Sequence, residues 1–197
     1  MNAMAQSNLE IASDFVRRWA ALSKERRAQL GKKIPVAAVQ AAALSHPDFG
    51  MRRFCLFLLD HYASDVSSGI FRRALHDPVA AVRESALHGL ACETCRHEDV
   101  FVPDVVTDLI EILAFDTNAD VRHKSVAALA RFIGRDTRAG QAIARATDHD
   151  PDSAIRVIAQ TVMDTGQPHV RRRKTALRDI RRASRRAAIA ARSTGSS

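Results

Sequence analysis

One seven-residue phrase recurs along the chain and limits its fold more than any other feature. It reads Asp77-Pro78-Val79-Ala80-Ala81-Val82-Arg83, then Asp116-Thr117-Asn118-Ala119-Asp120-Val121-Arg122, then Asp150-Pro151-Asp152-Ser153-Ala154-Ile155-Arg156. A weaker copy, His46-Pro47-Asp48-Phe49-Gly50-Met51-Arg52, precedes them. In all four, an apolar residue falls five positions after the first residue and an arginine six after it. The arginines are 31, 39 and 34 residues apart. Self-similarity on this scale means that each copy is one supersecondary unit, which buries its apolar face only by stacking on its neighbours. The uneven spacing falls to connecting segments, which tolerate insertion.

Each copy carries the signals of a helix start. Asp77, Asp116 and Asp150 are placed to accept from free N–H groups of a first turn, and Pro78 and Pro151 follow at the position where a missing N–H costs nothing. Apolar residues then recur at helical spacing, as Val79, Val82, Ala86 and Leu90, or as Val121, Leu129 and Phe132 with the small Ser125 on the same face. A second apolar stripe precedes each phrase, over 35–45, 65–76, 103–114 and 138–148. The reading is four helix pairs, at 35–62, 65–93, 102–133 and 137–165. Leu9, Ala12, Phe15, Val16 and Trp19 mark a helix over 7–22, and 24–31 forms another short one. Residues 1–34 are thus expected to cap a repeat domain spanning 35–167, because the end of a stacked array needs a polar outer surface.

The phrase resembles the HEAT-repeat family, in particular its short bacterial relatives, over about residues 35–165. The resemblance implies an all-α fold: a right-handed α-solenoid of about four helix pairs. It also implies a ladder, in which the turn Asp and the second-helix Arg pair between successive repeats. Arg83, Arg122 and Arg156, with Arg52 of the weaker copy, would pair with Asp77, Asp116 or Asp150 of a neighbour. The first copy has His46 where the Asp belongs, so the ladder is expected to fail or change there. Some HEAT-like proteins are di-iron hydroxylases with repeated His-Glu pairs, but the one such pair here, His97-Glu98, has no companion. HEAT-like DNA glycosylases use aromatic residues against DNA, whereas the single Trp19 lies on an apolar stripe and is expected in the core. No motif singles out the HEAT-like bilin lyases. HEAT folds host many functions, so the resemblance speaks to architecture.

Composition agrees with closely stacked helices. Hydrophobic residues make up 46% of the 197, yet aromatics are only 5%, so Ala, Leu, Val and Ile must fill the interior. Hairpin dipeptides between alternating strands are absent, which argues against a sheet. No apolar run approaches a membrane span, and Glu10, Asp14, Arg17 and Arg18 interrupt any signal-peptide-like stretch. Three cysteines do not make an even disulfide framework. The expected location is cytoplasmic, with reduced thiols.

The net charge of +8 is unevenly placed. Residues 1–167 hold 20 Lys and Arg against 21 Asp and Glu; residues 168–197 hold 10 against the single Asp179. The basic character therefore belongs to a tail, carried by Arg171, Arg172, Arg173, Lys174, Arg178, Arg181, Arg182, Arg185 and Arg186. A thin apolar seam through Leu177, Ile180 and Ala191 suggests a helix over about 170–191. Such a tail binds phosphate polymers by counterion release. It also fits an acidic protein partner, a solvated extension or, least well because the seam is thin, an anionic membrane surface. Arg181-Arg182-Ala183-Ser184 also resembles a basophilic kinase site.

Chemistry is sparse. His88-x3-Cys92-x2-Cys95-x-His97 places four potential zinc ligands within ten residues, but lacks the longer spacer between ligand pairs of zinc modules. The competing reading is a small buried Cys92 near a helix end with solvated neighbours, and no metal is expected. Arg96 after Cys95 excludes a c-type haem attachment. No phosphate loop, nucleophile elbow or carboxylate pair occurs, so neither an enzyme nor a cofactor is expected. The tandem pairs Arg17-Arg18, Arg52-Arg53 and Arg72-Arg73 read either as one ion-paired and one exposed arginine each, or as a basic stripe on the face lined by second helices. The expected function is a non-catalytic scaffold for a protein partner, with nucleic-acid binding as the alternative.

Overall fold

In the computed structural model, residues 3–63, 68–91 and 105–166 are described, together with Ile180. Among them the chain is all-helical, without a strand. It divides into two compact units, Met1–Val105 and Val106–Ser197, so the repeat domain expected over 35–167 is shared between them.

The first unit contains α1 (Ala3–Ala20), α2 (Lys24–Gly31), α3 (Val36–Ser45), α4 (Phe49–Tyr62), α5 (Ser68–Ala74) and α6 (Ala80–Ala91). Helix α3 is nearly all alanine and valine, and packs against α1, α4 and α5. Its small side chains Ala38, Val39, Ala42 and Ala43 are buried, which lets neighbouring backbones approach closely. Leu56, Leu58 and Leu59 of α4, Phe71 of α5, and Val82, Ala86 and Leu87 of α6 fill the rest of this core. Each fully buried leucine contributes about 1.5–3 kcal/mol relative to an exposed one. Trp19 lies in the core as expected, 3% exposed, and meets the edge of Tyr62 at 4.6 Å between ring centres. Two close approaches fix the local packing. The missing side chain of Gly31 leaves room for the Tyr62 ring, and that of Gly89 for the Phe71 ring.

The second unit contains α7 (Val105–Phe115), α8 (Ala119–Leu129) with a single 3-10 turn at Ala130–Phe132, α9 (Thr137–His149) and α10 (Ser153–Thr165). Leu109, Val121, Val126, Leu129, Ile143, Ile155 and Ile158 form its core. The buried Ser125 hydroxyl donates to the Leu109 carbonyl and ties α8 to α7. Gly166 closes α10 in the left-handed conformation (φ 61°), which glycine adopts without a side-chain clash.

The helix starts correct one expectation. The helices that the four phrases open begin at Phe49, Ala80, Ala119 and Ser153, so the first residue of each phrase is not the cap. The cap falls two positions later. Asp48 accepts from Gly50 and Met51 N–H, Asn118 from Asp120 and Val121, and Asp152 from Ala154. In the second copy Val79 holds this place, and its carbonyl accepts from Val82 and Arg83 N–H. Pro47, Pro78 and Pro151 precede these capping positions, in the turn, where no N–H is required. Asp77, Asp116 and Asp150 are engaged elsewhere, and that engagement defines the site.

Candidate functional site

The four phrases build the same local device. The first residue folds its side chain over the turn and accepts the N–H two residues on. Asp77 accepts from Val79 at 2.8 Å, Asp116 from Asn118 at 2.8 Å and Asp150 from Asp152 at 2.8 Å. In the first copy His46 does the same through Nδ1, accepting from Asp48 N–H at 3.1 Å. The arginine six residues on then folds back over the turn. Its Nη1 donates to the first residue's carbonyl in every copy: Arg52 to His46 (2.8 Å), Arg83 to Asp77 (2.9 Å), Arg122 to Asp116 (2.9 Å) and Arg156 to Asp150 (2.7 Å). In the first three it also reaches the next carbonyl, of Pro47, Pro78 or Thr117. A turn carbonyl near a helix start has no partner in the helix, and the arginine satisfies it.

Arg52 and Arg122 each extend the device to the next phrase. Arg52 grips Asp77 with Nε at 2.6 Å from Oδ2 and Nη2 at 3.0 Å from Oδ1. Arg122 grips Asp150 in the same two-pronged way, at 2.9 and 3.0 Å. All four side chains are close to fully buried. A planar guanidinium suits this geometry because its fork matches both carboxylate oxygens. Burial opposes the charge on Asp77, but bonds from Arg52 and from Val79 N–H, with the Arg52 and Arg83 charges, outweigh it and hold the carboxyl below its ordinary range. The bonds to Asp77 and Asp150 raise Arg52 and Arg122 above the usual arginine value.

The expected break at the first copy is therefore corrected. Arg52 reaches forward to the carboxylate of the following phrase, so His46 has no rung of its own to lose. The imidazole reproduces the turn bond, the one task an Asp would have at that place.

Of the tandem arginines, Arg52 is buried in its ion pair and Arg53 is exposed. Arg72 is half-buried and Arg73 exposed. Arg17 pairs with Asp14 at 2.8 Å on the open surface, beside exposed Arg18. Such surface pairs contribute about 0–1 kcal/mol. The tail arginines from Arg171 to Arg186, and Lys174, lie outside the described residues. Four residues on from Arg53, Phe57 is 39% exposed, and its ring lies 4.2 Å from that of His61 and 5.6 Å from that of Phe54, tilted to both. The spacing of charges did not reveal this aromatic cluster on α4.

A serine and a histidine meet at an open cleft of about 500 Å³, lined by Leu9, Glu10, Ser13, Asp14, Arg17 and His46. Ser13 Oγ lies 3.3 Å from His46 Nε2. Because Nδ1 accepts from Asp48 N–H, the ring proton belongs on Nε2, which donates to the serine; Ser13 in turn donates to the Leu9 carbonyl. This wiring is the reverse of a nucleophile and its base, in which imidazole accepts the hydroxyl proton.

Of the His88, Cys92, Cys95 and His97 motif, only His88 is among the described residues. It is half-exposed on α6 and stands 3.5 Å from Asp60 Oδ2 of α4, which sequence spacing did not connect to it. Cys55 is buried, and burial pushes its thiol up to about 12, away from the reactive thiolate form. No described helix is long and apolar enough to cross a membrane. Compared with protein-family models, curated proteins and solved structures, the chain gives no significant match.

Proposed function

We propose that the chain is a non-catalytic scaffold of HEAT-like repeats that binds a protein partner, with the basic tail drawing an acidic partner toward it. The observation that carries this reading is the fourfold recurrence of one turn device, with its arginine folded over the turn carbonyl. A device repeated with this fidelity serves stacking, and stacked helix pairs present extended surfaces for partners. Two features favour a protein over a polyanion on the body. Residues 1–167 are almost neutral. The exposed Phe57, with His61 and Phe54, offers the kind of aromatic anchor on which protein interfaces concentrate their energy.

Nucleic-acid binding is the second reading, favoured by the ten basic residues after position 167 and by exposed Arg53 and Arg73. Affinity against salt separates the two. The full chain is titrated with duplex DNA and single-stranded RNA over a range of salt, beside a variant with the tail arginines changed to glutamine. The scaffold reading expects weak binding to both nucleic acids, removed by the tail substitutions. Tight binding that survives them, with a steep salt slope, would move the function to a nucleic-acid surface on the body.

A further inference from the structure

Arg156 on α10 repeats the posture of Arg52 and Arg122, but without a carboxylate for its fork. Its Nη1 donates to the Asp150 carbonyl at 2.7 Å, as theirs do to the carbonyls of His46 and Asp116. In those two arginines the other edge, Nε with Nη2, grips the carboxylate of the following phrase. No further copy of the phrase follows the fourth. Among the described residues, Arg156 Nε and Nη2 accordingly have no acceptor. The carboxylates nearest in sequence are committed elsewhere. Asp150 is held by Arg122, Asp152 caps α10, and Asp164 accepts from Gln160 at 2.7 Å. The helix face that carries Arg156 is open as well. Ten and thirteen residues after the first residue of a phrase, the earlier copies bury Leu56 and Leu59, Leu87 and Leu90, or Val126 and Leu129. The fourth copy has Gln160 and Met163 there, both exposed. Arg156, Gln160 and Met163 share one face of the helix by their spacing. Val157, next to Arg156, is 44% exposed.

We propose that Arg156 anchors a carboxylate of an acidic protein partner, with Val157 and Met163 receiving the partner's apolar side chains beside it. The proposal rests on the scaffold reading and names a recognition chemistry for it on α10. The bond from Nη1 to the Asp150 carbonyl fixes the plane of the guanidinium, so Nε–H and Nη2–H are presented as a ready pair. This edge is donor-only and matches the two oxygens of a carboxylate. The chain itself uses the same edge on a carboxylate twice, at Asp77 and at Asp150. Arg156 is half-buried, which strengthens such a pair relative to one in open water. Exposed Val157 and Met163 favour a polypeptide over a phosphate polymer, because they offer nothing to phosphate and the methionine adapts to varied apolar partners. A second copy of the chain does not continue the ladder. Its first phrase offers His46, whose Nε2 carries the ring proton and donates to Ser13.

The test uses the full chain with its tail arginines changed to glutamine, so that the tail does not mask the body. The probe is a labelled, capped peptide alternating aspartate and leucine, followed by fluorescence anisotropy and by the arginine Nε–H resonances. We expect binding that moves the Arg156 Nε–H resonance, which is identified by its loss in Arg156→Lys. That variant keeps the charge and a donor for the Asp150 carbonyl but not the fork. It is expected to retain the fold by circular dichroism and to bind the peptide at least about tenfold more weakly, as for one charge-assisted hydrogen bond. Arg145→Lys, at an exposed arginine of α9, is expected to bind as the parent does. Equal binding by the parent and Arg156→Lys would overturn the proposal and leave the scaffold reading standing. Binding by the unsubstituted chain that vanishes once the tail is neutralised would also overturn it. So would an Arg156 resonance that answers inorganic phosphate as strongly as the peptide. So, too, would one that shows a bonded carboxylate before peptide is added and loses it in Asp179→Asn, since the chain would then fill the fork itself. No binding to either chain would overturn both the proposal and the acidic-partner reading.

Discussion

Arg122 holds Asp150 by two parallel hydrogen bonds across 28 residues of chain, with both side chains almost wholly buried. The same guanidinium satisfies the carbonyls of Asp116 and Thr117. One side chain thus closes its own turn and anchors the next. Truncating Arg122 to alanine leaves a buried carboxylate and two carbonyls without their donor. We expect a loss of about 3–5 kcal/mol in denaturant unfolding, the range for breaking one side of a buried pair. Arg122→Lys restores charge but not the fork, and should recover only part of it. A change below about 0.5 kcal/mol for the alanine variant would show that the pair is not structural.

Asp77 gives the fold an acid limit. Its folded value is depressed below the ordinary 3.8, so the stability it contributes is fully present above that value and is lost as pH falls through the folded value. Wild-type stability should therefore fall more steeply below about pH 4 than that of Asp77→Asn, which has no carboxylate to protonate. Denaturant unfolding of both chains from pH 6 to pH 2 checks this, and parallel acid limbs would contradict it.

His46 carries out the turn bond of an Asp with an imidazole nitrogen. His46→Asp should therefore be nearly neutral, within about 0.5 kcal/mol. His46→Ala loses the turn bond and the bond to Ser13, and should cost about 1–3 kcal/mol, at about 0.5–1.5 kcal/mol for each. Thermal unfolding of the two variants ranks them, and equal losses would show that the ring acts by packing and not by its nitrogen.

Gly89 and Gly31 sit where an added methyl would enter the Phe71 and Tyr62 rings. Alanine usually strengthens a helix at glycine positions by about 0.5–1 kcal/mol. Here the sign should reverse. Each Gly→Ala change is expected to destabilise by about 1–3 kcal/mol through overpacking, as read from the denaturation midpoint. Stabilisation would mean that the rings have room to move.

The phrase spacing made the helices and the arginine positions legible, because both depend on local chemistry repeated in register. It misplaced the caps by two residues, since an Asp before a helix serves equally as a cap or as a turn former, and the arginine that decides between them comes from the preceding phrase. The His46 substitution looked like a break because imidazole and carboxylate differ in charge, although they share the acceptor that the turn uses. Asp60 and His88 were invisible as a pair, being joined only by the packing of α4 on α6. The basic tail was plain in the sequence as charge.

Hydrogen exchange of the full chain, with and without polyglutamate as an acidic polypeptide, tests the scaffold most directly. The account expects slowed exchange in the body, centred on α4 around Arg53 and Phe57, together with protection of the tail. Protection confined to the tail, with α4 and the other second helices unchanged, would contradict a partner-binding body.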